Sequence, residues 1–175
     1  MHRPEAPTPD SGRRGIVLLL ILCAALGCTE QERTASFPLR QEIPMGALAV
    51  SVDGWEEVGA AHAPLSSLRT PEGEKAIAVF VGWSGLEPFA EPDRQTFAEK
   101  FLRGRLRLVD SDGFDYGTVA AMPREHYDFT SHASSMPRDW VVVFHVWVDS
   151  HGYTLRLSHP DSSKESFDVA IIQLG

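Results

Sequence analysis

The chain is poor in cysteine and in basic charge, and no apolar run in it is long enough for an ordinary membrane span. Both cysteines, Cys23 and Cys28, fall inside Ile16–Cys28, so nothing downstream can build a disulfide framework or supply a thiol nucleophile. Its 16 Lys and Arg face 24 Asp and Glu, a formal net charge of −8, which argues against nucleic acid, a partner that demands a basic face. The same deficit argues against a polybasic grip on anionic lipid. No glycine-rich phosphate loop precedes a helix, and Gly82–Gly85 reads only Gly-Trp-Ser-Gly, without the second spacer of a Gly-x-Ser-x-Gly elbow. Glu56 and Glu57 could be imagined as acid and base, but adjacent strand residues point to opposite faces. No catalytic residue and no cofactor emerge, and an enzyme is not expected.

What is present begins with export. Arg13 and Arg14 precede the uncharged run Ile16–Leu26, with small residues at Ala24, Ala25 and Gly27. A basic start, a short apolar segment and small residues at the cut form a secretory signal peptide. The run falls short of the roughly 20 apolar residues of a spanning helix, so a transmembrane anchor is the weaker alternative. The Arg-Arg pair lacks the rest of a twin-arginine motif, which leaves general secretion. Ala25-Leu26-Gly27-Cys28 resembles a bacterial lipobox, with Ala25 standing where leucine is usual; Cys23 cannot serve, because bulky Leu22 precedes it. The resemblance implies cleavage between Gly27 and Cys28 and acylation of Cys28, which becomes the membrane anchor. Thr29 is not the aspartate that marks inner-membrane retention in enterobacterial lipoproteins, which favours the outer membrane in a host that has one.

Three segments follow: a lipoprotein signal peptide (1–27), a lipidated N-terminus and flexible tether (28–44), and one domain (45–175). Removing Arg3, Arg13 and Arg14 with Glu5 and Asp10 leaves 13 basic and 22 acidic side chains, a net charge of −9. The membrane is then reached through acyl chains alone. Thr29–Pro44 is polar and without period, as a tether is.

Period-two patterning dominates the domain. Leu48, Val50 and Val52 share one face; so do Ile77, Val79, Val81 and Trp83, with Ala78 and Phe80 opposite; Leu106 and Leu108 alternate with Arg105 and Arg107. Asp139–Asp149 is apolar on both faces, as a central strand is. Leu155 with Leu157, and then Phe167–Gly175, complete the set. Asp110–Gly113 and Asp149–Tyr153 carry turn signatures. One helix is expected over Glu91–Gly104, capped by Asp93, with Phe97 and Phe101 on one face and Gly104 ending it. Many short strands with frequent turns predict an all-β, immunoglobulin-like antiparallel sandwich.

The order of "GALAVSVDGWEEV", "KAIAVFVGWSGLEP", "LRLVDSDGFDYG", "PRDWVVVFHVWVD" and "VAIIQLG" is similar to a bacterial family known as domain of unknown function 4352. The resemblance implies an exported or lipid-anchored protein with a telokin-like, immunoglobulin-like sandwich, and it brings no catalytic residues. Longer segments around Gly59–Glu74 and Met122–Asp139 depart from it.

Candidate sites are few. Asp110, Asp112 and Asp115 place oxygens at near-alternating positions, which could suit calcium, but the bidentate glutamate of an EF-hand loop is missing; a hairpin turn with solvated carboxylates explains them. His126, His132, His145, His151 and His159 lack the close pair spacing of a zinc set, so no metal site is expected. Trp55, Trp83, Trp140 and Trp147 could form an aromatic platform, yet at least two belong in the core, and Trp140 and Trp147 lie on opposite faces by parity. Loop 123–139 is a place for recognition. These readings converge on a lipid-anchored, extracytoplasmic module that binds an envelope protein or serves envelope structure. The alternative is a solute- or metal-binding accessory lipoprotein.

Overall fold

A computed structural model describes residues 31–59, 69–85, 91–127, 139–161 and 166–175. Those residues form β1 (Thr34–Ser36), β2 (Ile43–Met45), β3 (Leu48–Val58), β4 (Glu74–Ser84), α1 (Glu91–Arg105), β5 (Leu106–Val109) and β6 (Asp115–Pro123). A single helical turn, α2 (Arg124–Tyr127), then leads on to β7 (Asp139–Trp147), β8 (Thr154–Ser158) and β9 (Val169–Gln173).

Hydrogen bonding links all these strands in the order β1-β9-β8-β5-β6-β7-β4-β3-β2. The sandwich arises at β6. Its first residues pair with β5 (Arg107 with Gly117, Val109 with Asp115), and its later ones pair with β7 (Thr118 with Phe144, Pro123 with Trp140). A register shift between Thr118 and Ala120 turns the strand from one partner to the other, the way a bulge bends a strand at a sandwich corner. The two arms of the sheet then stack, and their alternating inward residues make one core. Val50, Val52, Ile77, Val79, Val81 and Phe144 come from one arm, and Leu106, Leu108, Leu155, Leu157 and Ile172 from the other. Each such side chain contributes about 1.5–3 kcal/mol when fully buried. Ala98, Phe101 and Leu102 of α1 join this core, with the Trp83 and Phe101 rings edge to face at 5.1 Å.

The expected all-β, immunoglobulin-like sandwich is therefore the observed one, and β3, β4, β5, β7, β8, β9 and the helix lie where the sequence pattern puts them. Trp83 and Trp140 are buried, while Trp147 is exposed. β7 is apolar on both faces because its second face packs too: Val141 and Val143 cluster with Ala76, Ala78 and Tyr127 on the outside of that arm.

Four details differ from the expectations. β1 and the first two residues of β2 lie inside the stretch read as a tether, and the compact unit begins at Glu32 instead of Met45. β1 holds because it pairs in parallel with β9, the exception to an otherwise antiparallel sheet. Arg33 cements that pairing through its backbone N–H and its guanidinium, at 2.7 and 2.8 Å from the two Asp168 carboxylate oxygens. The period-two pattern does not mark β6. The helix starts at Glu91, so Asp93 sits within its first turn, and it runs past Gly104 to Arg105.

Candidate interaction surface

The antiparallel strands leave the domain with two ends. Residues 110–114, 147–153 and 71–74 gather at one of them, because Val109, Trp147, Thr154 and Glu74 are all strand-end residues there. The chain enters β1 at the other end, since Thr34 aligns with Val169, which in turn pairs with Ser158.

Asp110 organises the turn end. It is only 6% exposed. One carboxylate oxygen accepts the backbone N–H groups of Asp112 (3.0 Å) and Phe114 (2.9 Å), closing the β5–β6 turn on itself. Gly113 supplies the positive φ of 85° that this turn requires. The second oxygen accepts the hydroxyls of Tyr116 (2.8 Å) and Ser150 (3.0 Å), and those two hydroxyls lie 2.8 Å from each other. Ser150 belongs to the β7–β8 turn, so a single buried carboxylate joins two loops. Burial by itself would push the Asp110 carboxyl up, but the four hydrogen bonds outweigh it and hold its pKa below the ordinary value. Burial, with the charge of Asp110 behind it, pushes the Tyr116 phenol up.

The bracing extends outward from there. Ser111 N–H donates to the His151 carbonyl (3.0 Å), and Val148 N–H donates to the Gly73 carbonyl (3.0 Å), which ties in the β3–β4 connection. Tyr153 OH donates to the Ser150 carbonyl (2.7 Å), and its ring meets Trp55 edge to face at 5.4 Å. Lys75 pairs with Glu57 at 3.3 Å. Burial opposes the Lys75 charge, yet Glu57 and the Tyr153 hydroxyl hold its pKa above the usual lysine value. On this braced end three large apolar side chains stand in solvent: Phe114 at 57%, Trp147 at 49% and Val148 at 62% exposure. The Asp110 network is internally satisfied, and Ser150 is buried, so the arrangement fixes the loops.

The residues singled out from the sequence scatter. Gly27, Cys28 and His132 lie outside the described residues. Asp110 is not the solvated turn carboxylate expected; Asp112 is exposed, and Asp115 pairs with Arg107 at 2.7 Å. His145 lies 3.8 Å from Glu74 at its Nδ1, and its buried Nε2 meets no hydrogen-bond partner among the described residues. His151 sits in the β7–β8 turn near Ser111, and His159 at the opposite end accepts the Asp161 N–H (3.0 Å) and faces Phe167. His126 lies on α2, at the far end of β6 from the braced turns. Among the described residues, no group of three or more His, Cys, Asp or Glu could hold a metal ion. The described flanks of loop 123–139, Pro123–Tyr127 and Asp139, lie at the end where β1 begins, away from the exposed trio. Glu56 accepts the Tyr127 hydroxyl (2.5 Å), whereas Glu57 turns to Lys75. Among the described residues, no helix is long and apolar enough to cross a membrane.

No protein-family model matches the chain, and no curated protein does either. Solved structures do resemble it. An uncharacterised β-sandwich protein from Clostridium difficile 630 aligns at TM-score 0.48 with 7% identity, covering 83% of this chain and 97% of its own. The secreted protein MPT63 of Mycobacterium tuberculosis aligns at 0.44 with 10% identity, over 80% and 97% of the two chains. The yjhA protein of Bacillus subtilis aligns at 0.36 with 12% identity, over 79% and 98%. At such identities none of them transfers a role to this chain.

Proposed function

We propose that the chain is an exported, lipid-anchored recognition module that binds a protein of the cell envelope through the braced turn end and catalyses nothing. The observation that carries this reading is the exposure of Phe114, Val148 and the strand-end Trp147 beside turns fixed by the buried Asp110 network. Large apolar side chains held rigidly in solvent lose little entropy on binding and make effective anchors. Export and anchoring are supported by the signal pattern of Arg13–Gly27 and the lipobox-like Ala25–Cys28. Membership of the domain of unknown function 4352 family belongs to the same reading, supported by the order of strand and hairpin motifs.

Two measurements test it. Cys28→Ala releases the protein from the membrane fraction and leaves the N-terminal peptide without acyl mass. In-cell crosslinking of the wild-type chain captures one dominant partner that is lost in Phe114→Ser and Trp147→Ser. Retention of Cys28→Ala in the membrane refutes the anchor. An unchanged crosslinking pattern in the two surface variants refutes the site.

A further inference from the structure

The character of the braced end also specifies what it binds. Each of its three loops carries one exposed carboxylate: Glu72 before β4, Asp112 in the β5–β6 turn and Asp149 in the β7–β8 turn. The neighbouring cations do not offset them, because Lys75 is paired with Glu57 and Arg107 with Asp115. Counting Arg69 in the approach to β4, the end is still net negative. Exposed apolar side chains and exposed carboxylates thus share the same turns, the two ingredients of an interface's apolar core and polar rim. Resting on the protein-binding reading above, we propose that the partner presents an apolar recess bordered by Lys or Arg.

Charge decides among the other candidate occupants. An anionic lipid surface and nucleic acid are repelled by the three carboxylates, and so is a second copy of this chain meeting end to end. A basic protein surface is attracted. The rim charges act mainly on association rate and fade with salt, because exposed charges are screened over about 8 Å at physiological ionic strength. The apolar anchors act on dissociation and do not fade. The two contributions can therefore be read separately in one titration.

The test places a photo-crosslinking residue at position 148, and separately at exposed position 126 as a control at the opposite end, in the full-length chain in its own membrane. The protein captured from position 148 is identified, its contact peptide is mapped, and it is purified and titrated against the detergent-solubilised full chain. Expected is a contact peptide with Lys or Arg beside apolar residues. Removing all three rim charges (Glu72→Gln, Asp112→Asn, Asp149→Asn) weakens binding about tenfold at low salt and less than about twofold at high salt. Trp147→Ala weakens it about thirtyfold at either salt. A captured protein with a neutral or acidic contact peptide, bound independently of salt and of the triple substitution, overturns the basic partner and leaves the protein-binding reading standing. Crosslinks to lipid or to a second copy overturn both, as does capture at position 148 no different from that at position 126.

Discussion

Asp110→Ala is the most informative single change, because its cost can be worked out from the hydrogen bonds. The carboxylate accepts two backbone N–H groups and two hydroxyls at 2.8 to 3.0 Å, from a site 6% exposed. Each buried donor left without an acceptor costs about 1–3 kcal/mol. The Tyr116 and Ser150 hydroxyls can still bond each other, and the Asp112 and Phe114 amides lie in an exposed turn that water can reach. A net loss of about 3–4 kcal/mol follows. For a domain of this size that is about 10 °C in Tm, read by thermal and urea unfolding. Asp110→Asn keeps an acceptor for the two amides and loses the charge, so it costs less, about 1–2 kcal/mol. Asp112→Ala, two residues along in the same turn but exposed, changes stability by under about 0.5 kcal/mol. Acid supplies an independent check. The folded pKa of Asp110 is depressed, so its contribution is complete above the unfolded carboxyl value and disappears as pH falls through the folded one. The gap between wild type and Asp110→Asn therefore narrows below about pH 4. An Asp110→Ala variant no less stable than Asp112→Ala would refute the idea that this carboxylate braces the turns.

Other substitutions probe other parts of the argument. Gly85 has φ of 84°, and a Cβ there would lie 2.5 Å from the Ala47 carbonyl oxygen, so Gly85→Ala lowers stability by about 2 kcal/mol or more in urea unfolding. Phe144 is fully buried between the arms, and Phe144→Ala costs about 3–5 kcal/mol; Trp147→Ala, three residues on but exposed, costs under about 0.5 kcal/mol while abolishing partner capture. Arg33→Ala removes a bidentate but half-exposed pair with Asp168, costs about 1 kcal/mol or less globally, and shows instead as faster amide exchange at Asp168 and Val169, the two amides that donate to the Arg33 carbonyl.

The sequence pattern reveals an element when the element has a dry face and a wet one. β3, with Leu48, Val50 and Val52 turned inward, is visible for that reason, and so is α1 through Phe97 and Phe101. β6 is not, because it changes partners midway and its residues before Pro123 are uniformly half-buried or exposed; Ala120, Ala121 and Gly117 give no alternation to read. β1 is three residues long and mostly polar, and only its ladder with β9 makes it a strand. The candidate site was hidden by a sufficient local explanation. A turn of the form Asp-Ser-Asp-Gly accounts for every one of its residues without a tertiary role. What raises Asp110 above its neighbours is Ser150, 40 residues away, and Tyr116 across the hairpin. A tyrosine after such a turn and a serine in the next one are the only traces of that pairing in the linear order.

The parallel pairing of β1 with β9 bears on how the domain responds to force. The strand enters at one end of the sandwich and runs toward the turns, so a pull on its first residue, away from those turns, acts along its axis. The bonds that hold it, among them Phe37 N–H to the Ile171 carbonyl (2.9 Å), Asp168 N–H to the Arg33 carbonyl (2.7 Å) and the Arg33–Asp168 pair, lie across that axis. They are strained together in shear. An antiparallel strand entering from the turn end would instead be peeled bond by bond. A short, polar edge strand that adds little to equilibrium stability thereby becomes the element that sets the rate of forced unfolding, a quantity governed by the barrier and not by the equilibrium.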